Sequence, residues 1–167
     1  MIIRPERQED EEAIGRLTEA AFRDMSFSDQ TEHLIVDRLR KAGALVVSLV
    51  AEDGGQIIGH VAFSPTTLSE TEGRWFALGP ISVSPDRQRQ GIGSRLVREG
   101  IATLDRLEAA GCVLAGSPHY YGRFGFERFD GLTSKGIPDK YLLALRLHGG
   151  TPSGIVGFHP AFDGDNA

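Results

Sequence analysis

A single cysteine, Cys112, stands among the 167 residues. No internal disulfide can form, and a multi-cysteine zinc site is excluded. Such usage fits a reducing compartment, so a cytoplasmic protein is expected. Basic residues are also short: 18 lysines and arginines stand against 23 acids, for a net charge of −5. Nucleic-acid binders usually carry a basic excess, and none is expected as a partner. A local basic patch still suits an anionic ligand. No apolar run approaches the roughly 20 residues of a membrane span. The opening residues, MIIRPERQEDEE, lack the apolar centre of a secretory leader. Internal repeats and low-complexity tracts are absent too.

What is present is ordinary for a globular protein, with 40% hydrophobic and 25% charged residues. The length suits one domain over residues 1–167 with a sizeable core. Residues 150–167 read as a Gly- and Pro-rich tail packed on it through Phe158 and Phe162. Met1–Arg4 reads as a strand. Ala13, Ile14, Leu17, Ala20, Ala21 and Phe22 recur at helical spacing, and the acidic run Glu9–Glu12 suits that helix's positive end. Thr31–Ala42 repeats the helical pattern.

Strands follow at Ala44–Glu52 and Gln56–Ser64, joined by the turn Asp53-Gly54-Gly55. Pro65–Glu72 is turn-rich, and Arg74–Val83 is a further strand. A long amphipathic helix runs from Gly91 to about Ala110. Gly111–Gly116 is apolar throughout, as a strand buried on both faces is. Tyr120–Phe124 reads as a helical turn, with closing strands at Phe126–Arg128 and Tyr141–His148. The order implies an α/β or α+β domain with a mixed sheet.

Three stretches carry chemistry. In RQRQGIGSRL, Gly91 and Gly93 bare the backbone at a helix N-terminus, where unpaired amides and the helix dipole meet. Arg87 and Arg89 add positive charge, so the loop suits a phosphate or pyrophosphate. A loop that only turns is the plain alternative. A dinucleotide fingerprint needs a third glycine where Leu96 stands, and a P-loop needs Gly-Lys-Ser/Thr. The second stretch is Gly79-Pro80. Proline donates no ladder hydrogen bond, so a strand containing it must be bulged or splayed. The third is Tyr121-Gly-Arg-Phe-Gly-Phe126, which places Tyr121 where the two strands part.

These residues resemble the GNAT superfamily of N-acetyltransferases. Its Gln/Arg-x-x-Gly-x-Gly/Ala signature is matched by Gln88, Gly91 and Gly93. LGPISVSPDRQRQGIG and YYGRFGF are similar to the YhbS-type subgroup, and the likeness extends from IIRPERQEDEEAI to FHPAF. The resemblance implies a mostly antiparallel twisted sheet, a splayed fourth and fifth strand pair, and helices on both faces. It implies acetyl-CoA as co-substrate, no metal, and an amine acceptor that attacks the thioester directly. Pantetheine would pair with Ile81, Ser82 and Val83. The pyrophosphate would take amides from Arg89, Gln90, Gly91, Ile92, Gly93 and Ser94, with Gln88 beside them. Leu78 or Gly79 would offer an N–H to the oxyanion.

Tyr121 matches the family tyrosine that donates to the CoA sulfur; Tyr120 reads as packing. The glutamate that many members carry early in the fourth strand corresponds to Ala77, so the base lies elsewhere. Glu32, His60 and His119 are candidates, each with a plain alternative: a solvated helix glutamate, a satisfied core histidine, a surface histidine. Transfer of the proton to bulk water is another route. Ser117 either touches pantetheine or caps a loop, and Cys112 reads as a small buried hydrophobe. A CoA-binding module without turnover is the alternative function, which Ala77 feeds and Tyr121 opposes. The acceptor is a small molecule or a protein, and the chain a monomer or a homodimer.

Overall fold

The computed structural model describes residues 1–166. Its elements run β1 (Ile2–Pro5), α1 (Glu11–Phe22), α2 (Glu32–Lys41), β2 (Val47–Asp53), β3 (Gln56–Leu68), β4 (Thr71–Val83), α3 (Ile92–Arg106), β5 (Gly111–Ala115), α4 (Pro118–Tyr121), β6 (Leu132–Thr133), β7 (Leu142–Arg146) and β8 (Gly154–Gly157). The sheet orders β1-β2-β3-β4-β5-β7, with β8 on the far half of β3 and β6 beside β8. Neighbours along that path are antiparallel except β4 and β5, which run parallel.

Alternation along the strands decides which face each helix covers. Val61 and Phe63 of β3 and Phe76 and Leu78 of β4 pack with Leu96, Val97 and Leu104 of α3. On the other face Val50 packs with Ile14 of α1 and Val36 of α2. Helices therefore cover both faces of a mixed sheet, as expected. α3 lies close to the sheet because Gly100 has no side chain. A Cβ there would stand 2.3 Å from carbons of the Phe63 ring.

β4 and β5 pair only from Trp75↔Gly111 to Ala77↔Val113. Beyond that point they splay, while β5 stays paired to β7 as far as Ala115. The β3–β4 register jumps from Val61↔Ile81 to Phe63↔Leu78, so Gly79 and Pro80 bulge out of the ladder. The sequence reading of this bulge holds.

Several boundaries differ from those expected. β3 runs through Pro65 to Leu68, where turns were expected. β2 ends its pairing at Val47↔Phe63 and β8 begins only at Thr67. Pro65 thus sits where one edge of β3 needs no donor. β2 begins at Val47, not Ala44, because the end of α2 keeps the Ala44 amide on the Leu39 carbonyl at 2.8 Å. Phe126–Arg128 is no strand: one bridge, Glu127↔Ala144, joins it to β7, and Phe126 is buried. The 150–167 tail contains β8, which its glycines hide from a periodicity argument. Phe158 and Phe162 meet at 5.8 Å, and Phe162 packs with Leu39 of α2. Ala167 lies outside the described residues.

Candidate active site

Gly91 is the N-cap of α3 at φ 83°, and Arg89 before it stands at φ 65°. Two left-handed residues turn the loop sharply, and glycine meets this conformation without cost at one of them. The first backbone bond of the helix runs from Arg95 N–H to the Gly91 carbonyl at 3.1 Å. The amides of Ile92, Gly93 and Ser94 precede it, so none has an intrahelical acceptor. No acidic side chain sits in this first turn to compete for them.

These amides face a cleft of about 430 Å³. Val83, Gln88, Arg89 and the loop from Gly91 to Ser94 line one side; Tyr120 and Arg123 line the other. Gln88 is tied by its amide N–H to the Val83 carbonyl at 3.1 Å. Arg123 lies over the Tyr120 ring at 4.6 Å and donates to its carbonyl at 2.9 Å. The Tyr120 hydroxyl stands 3.4 Å from Ser94 Oγ. Sequence reasoning missed Tyr120 and Arg123 as walls of this cleft. Arg123 adds a second positive charge facing Arg89. Gln90 turns away, its Oε1 3.5 Å from Arg87 Nε.

A larger groove of about 640 Å³ lies between α1 and the β2–β3 turn. Its arginines already have carboxylates: Arg4 with Asp10 at 2.7 Å, Arg16 with Glu12 at 2.7 Å and Arg87 with Asp53 at 2.6 Å. The smaller cleft offers bare amides and two arginines with no carboxylate partner among the described residues, and it suits an anion better.

Tyr121 follows the splayed strands on α4. Its ring lies over Gly116, where a Cβ would stand 2.6 Å from it, and edge-on to Phe126 at 6.1 Å. Among the described residues its hydroxyl has no hydrogen-bond partner. Burial raises its pKa to about 12, and the neighbouring Tyr120 and Cys112 add to this. The phenol therefore stays protonated at neutral pH. Cys112 is fully buried and burial pushes its thiol far up, so it stays neutral too.

The other candidates are scattered. Glu32 opens α2 and accepts from Ser28 Oγ at 2.7 Å. His119 is exposed on α4, and Ser117 is exposed at that helix's N-cap. His60 is fully buried and bonded to Ser48 Oγ at 2.8 Å. Ala77 is buried between Ser64 and Val113, with no acid at its position. Leu78, Gly79, Ile81 and Ser82 lie along the bulged part of β4. No hydrogen bond joins Glu32, His60, His119 and Tyr121 to one another among the described residues. No group of three His, Cys, Asp or Glu residues among them is placed to hold a metal ion, and no helix is long and apolar enough to cross a membrane.

Known proteins share this fold. A GNAT family acetyltransferase from Brucella melitensis, solved in complex with acetyl-CoA, is 47% identical, with a TM-score of 0.87 over 97% of each chain. The N-acetyltransferase YhbS of Escherichia coli, solved in complex with CoA, superposes at a TM-score of 0.86 with 33% identity, over 97% of this chain and 91% of that one. In sequence, the curated YhbS of E. coli K12 aligns at 40% identity over 103 residues, 61% of this chain and 62% of its own length. YjhQ of the same strain is 31% identical over 79% of this chain and 73% of its own. The profile of the acetyltransferase (GNAT) family matches residues 11–126. The chain belongs to that family.

Proposed function

We propose that the protein moves an acetyl group from acetyl-CoA to a primary amine by direct attack on the thioester. The observation that carries this reading is the α3 cleft, which offers bare helix amides and two arginines at the end of a splayed strand pair. A pyrophosphate there meets amides Ile92 to Ser94 and the charges of Arg89 and Arg123. The pantetheine then runs along Ile81, Ser82 and Val83, whose β5-facing edge is unpaired. The relatives crystallised with acetyl-CoA and CoA support this ligand.

In this reading the developing oxyanion is met by a backbone N–H beside the bulge, that of Leu78 or Gly79. Tyr121, protonated and with no partner for its hydroxyl among the described residues, donates to the departing thiolate. The amine reaches the thioester neutral after losing a proton. One observation favours a second reading, a CoA-binding module without turnover: Ala77 leaves the splayed end of β4 without a carboxylate base.

Calorimetry with acetyl-CoA, with NAD as control, tests the ligand. Micromolar binding of acetyl-CoA alone is expected. Gly91→Glu should abolish it while thermal unfolding stays cooperative, because the carboxylate enters the phosphate site. Unchanged affinity in that variant sinks the pyrophosphate assignment. Release of CoA thiol with a panel of primary amines, butylamine and methoxyamine included, then separates transferase from binding module.

A further inference from the structure

Three buried side chains on one face of the sheet carry polar atoms with no partner among the described residues: His60 Nδ1, Ser64 Oγ and Ser82 Oγ. His60 and Ser64 belong to β3, and their alternation with Val61 and Phe63 turns them away from α3. Val50, directly opposite His60 on β2, packs against α1 and α2 and fixes the face. Ser82 is the partner of His60 across the β3–β4 ladder. Cross-strand partners share a face, with Cβ atoms about 5 Å apart. These orphaned atoms flank the Gly79–Pro80 bulge, on the side of the sheet opposite α3.

The other side of the histidine ring is fully engaged. His60 Nε2 lies 2.8 Å from Ser48 Oγ. The Ser48 hydroxyl donates to Glu6 Oε1. Glu6 is gripped by Arg40, through Nε at 2.9 Å and Nη2 at 3.1 Å. Burial alone would raise the Glu6 carboxyl, but bonds from Arg40 and Ser48 outweigh it and hold the group below its ordinary range. Glu6 is thus a carboxylate, which only accepts. Ser48 must then spend its one proton on Glu6, and its oxygen must accept from His60 Nε2–H. The neutral ring keeps its lone pair on Nδ1, on the far side from Ser48. Every hydrogen bond in the chain points the same way, outward to Glu6 at the rim.

We propose that Ser82, His60, Ser48 and Glu6 form a proton path that takes up the acceptor's ammonium proton and holds it at Glu6 while the amine attacks. The proposal rests on the transferase reading and supplies the acceptor's deprotonation, for which β4 offers no carboxylate beside its splayed end: Ala77 stands there, and Glu72 is exposed near the strand's other end. Ser82 lies between Ile81 and Val83, beside the bulge. A turn of its hydroxyl, or one bridging water, links it to Nδ1. The ammonium gives a proton to Ser82 Oγ as the Ser82 proton moves to Nδ1. The Nε2 proton passes to Ser48, and the Ser48 proton to Glu6. The nitrogen keeps its electron pair for the thioester, and no free imidazolium forms. When the product leaves, the relay runs back: Glu6 returns its proton through Ser48 to Nε2, and the Nδ1 proton leaves through Ser82 to water in the emptied cleft, so the path holds the proton only while the amine attacks. His60, Ser48 and Glu6 act through Ser82 and are positioning and relay residues.

The test compares the full chain with His60→Gln, Ser48→Ala and Glu6→Gln, using two probe amines at pH 7. Butylamine is cationic there and must shed a proton; methoxyamine is already neutral. Each variant should lower kcat with butylamine at least tenfold, leave methoxyamine within about twofold, and bind acetyl-CoA as the wild type does. Equal losses on both amines, or none on butylamine, overturn the path. Nitrogen NMR of labelled histidines, with His60→Gln for assignment, needs no acceptor. The resting ring should be the Nε2–H tautomer, and a resting Nδ1–H tautomer overturns the proposal whatever the amines do. A wild type that binds acetyl-CoA yet acetylates neither amine counts against the transferase reading, and the NMR result still decides the direction of the chain.

Discussion

Tyr121 shows how much one side chain's surroundings decide. Among the described residues its hydroxyl has no partner, and its ring is fixed over Gly116 and against Phe126. A phenol raised to about pKa 12 by burial holds its proton yet has no acceptor among those residues to give it to. In the proposed transfer, donation to a thiolate leaving the β4–β5 notch would use that proton. Tyr121→Phe keeps the ring contacts and removes only the donor. The expected result is a fall in kcat of more than tenfold with acetyl-CoA affinity nearly unchanged; equal rates would remove the hydroxyl from the mechanism. The position of Tyr121 was legible because Gly125-Phe126 punctuate the chain after it. Arg123 was not, because an arginine in a turn is ordinary until the fold brings it across from Arg89. His60 was visible as a candidate, but its wiring was not. Glu6, Ser48 and Ser82 lie on other segments, and no spacing rule relates them.

At the scale of elements, glycine and proline told most. Gly79-Pro80 announced the bulge, and Gly91 with Gly93 announced a helix start whose first amides are left bare. The long strand β3 was cut short in the sequence reading because Pro65 signals a turn locally, whereas a strand edge that lacks a neighbour tolerates it. β8 was missed because four residues with a glycine at each end carry no readable alternation. Gly100 gives a sharper case. Alanine there should favour an isolated helix by about 1 kcal/mol. Its Cβ, however, would stand 2.3 Å from the ring of Phe63, which is fully buried and has no free space to swing into. Overpacking of this kind costs about 1–3 kcal/mol. Gly100→Ala should therefore lower the urea midpoint at unchanged m value, and weaken acetyl-CoA binding as α3 shifts. A raised midpoint would mean that α3 is not clamped to the sheet at this point.

The whole molecule's acid stability follows from the same buried histidine. Burial lowers the His60 pKa from 6.5 to about 4, a drop that Arg40 assists and Glu6 opposes. The unfolded chain therefore takes up a proton here at a higher pH than the folded protein does. The stability tied to the neutral ring is complete above pH 6.5 and is lost as the pH falls toward 4. Between pH 7 and pH 5 the loss is about 2 kcal/mol, from 1.36 kcal/mol per unit of pKa difference. Carboxylates held low by their partners, Asp10 with Arg4 and Glu6 with Arg40, act further down, where the folded protein gives up those pairs. The window from pH 7 to 5 thus belongs mainly to His60. Urea unfolding at both pH values should show that loss in the wild type, and His60→Gln should lose about 2 kcal/mol less over the same interval whatever its stability at pH 7. Identical slopes would mean that the ring titrates normally in the folded protein, and hence that water reaches it. A hydrated, freely titrating imidazole is not held in the single tautomer that an outward-pointing chain requires, so this equilibrium measurement bears on the proton path without any acceptor in the tube.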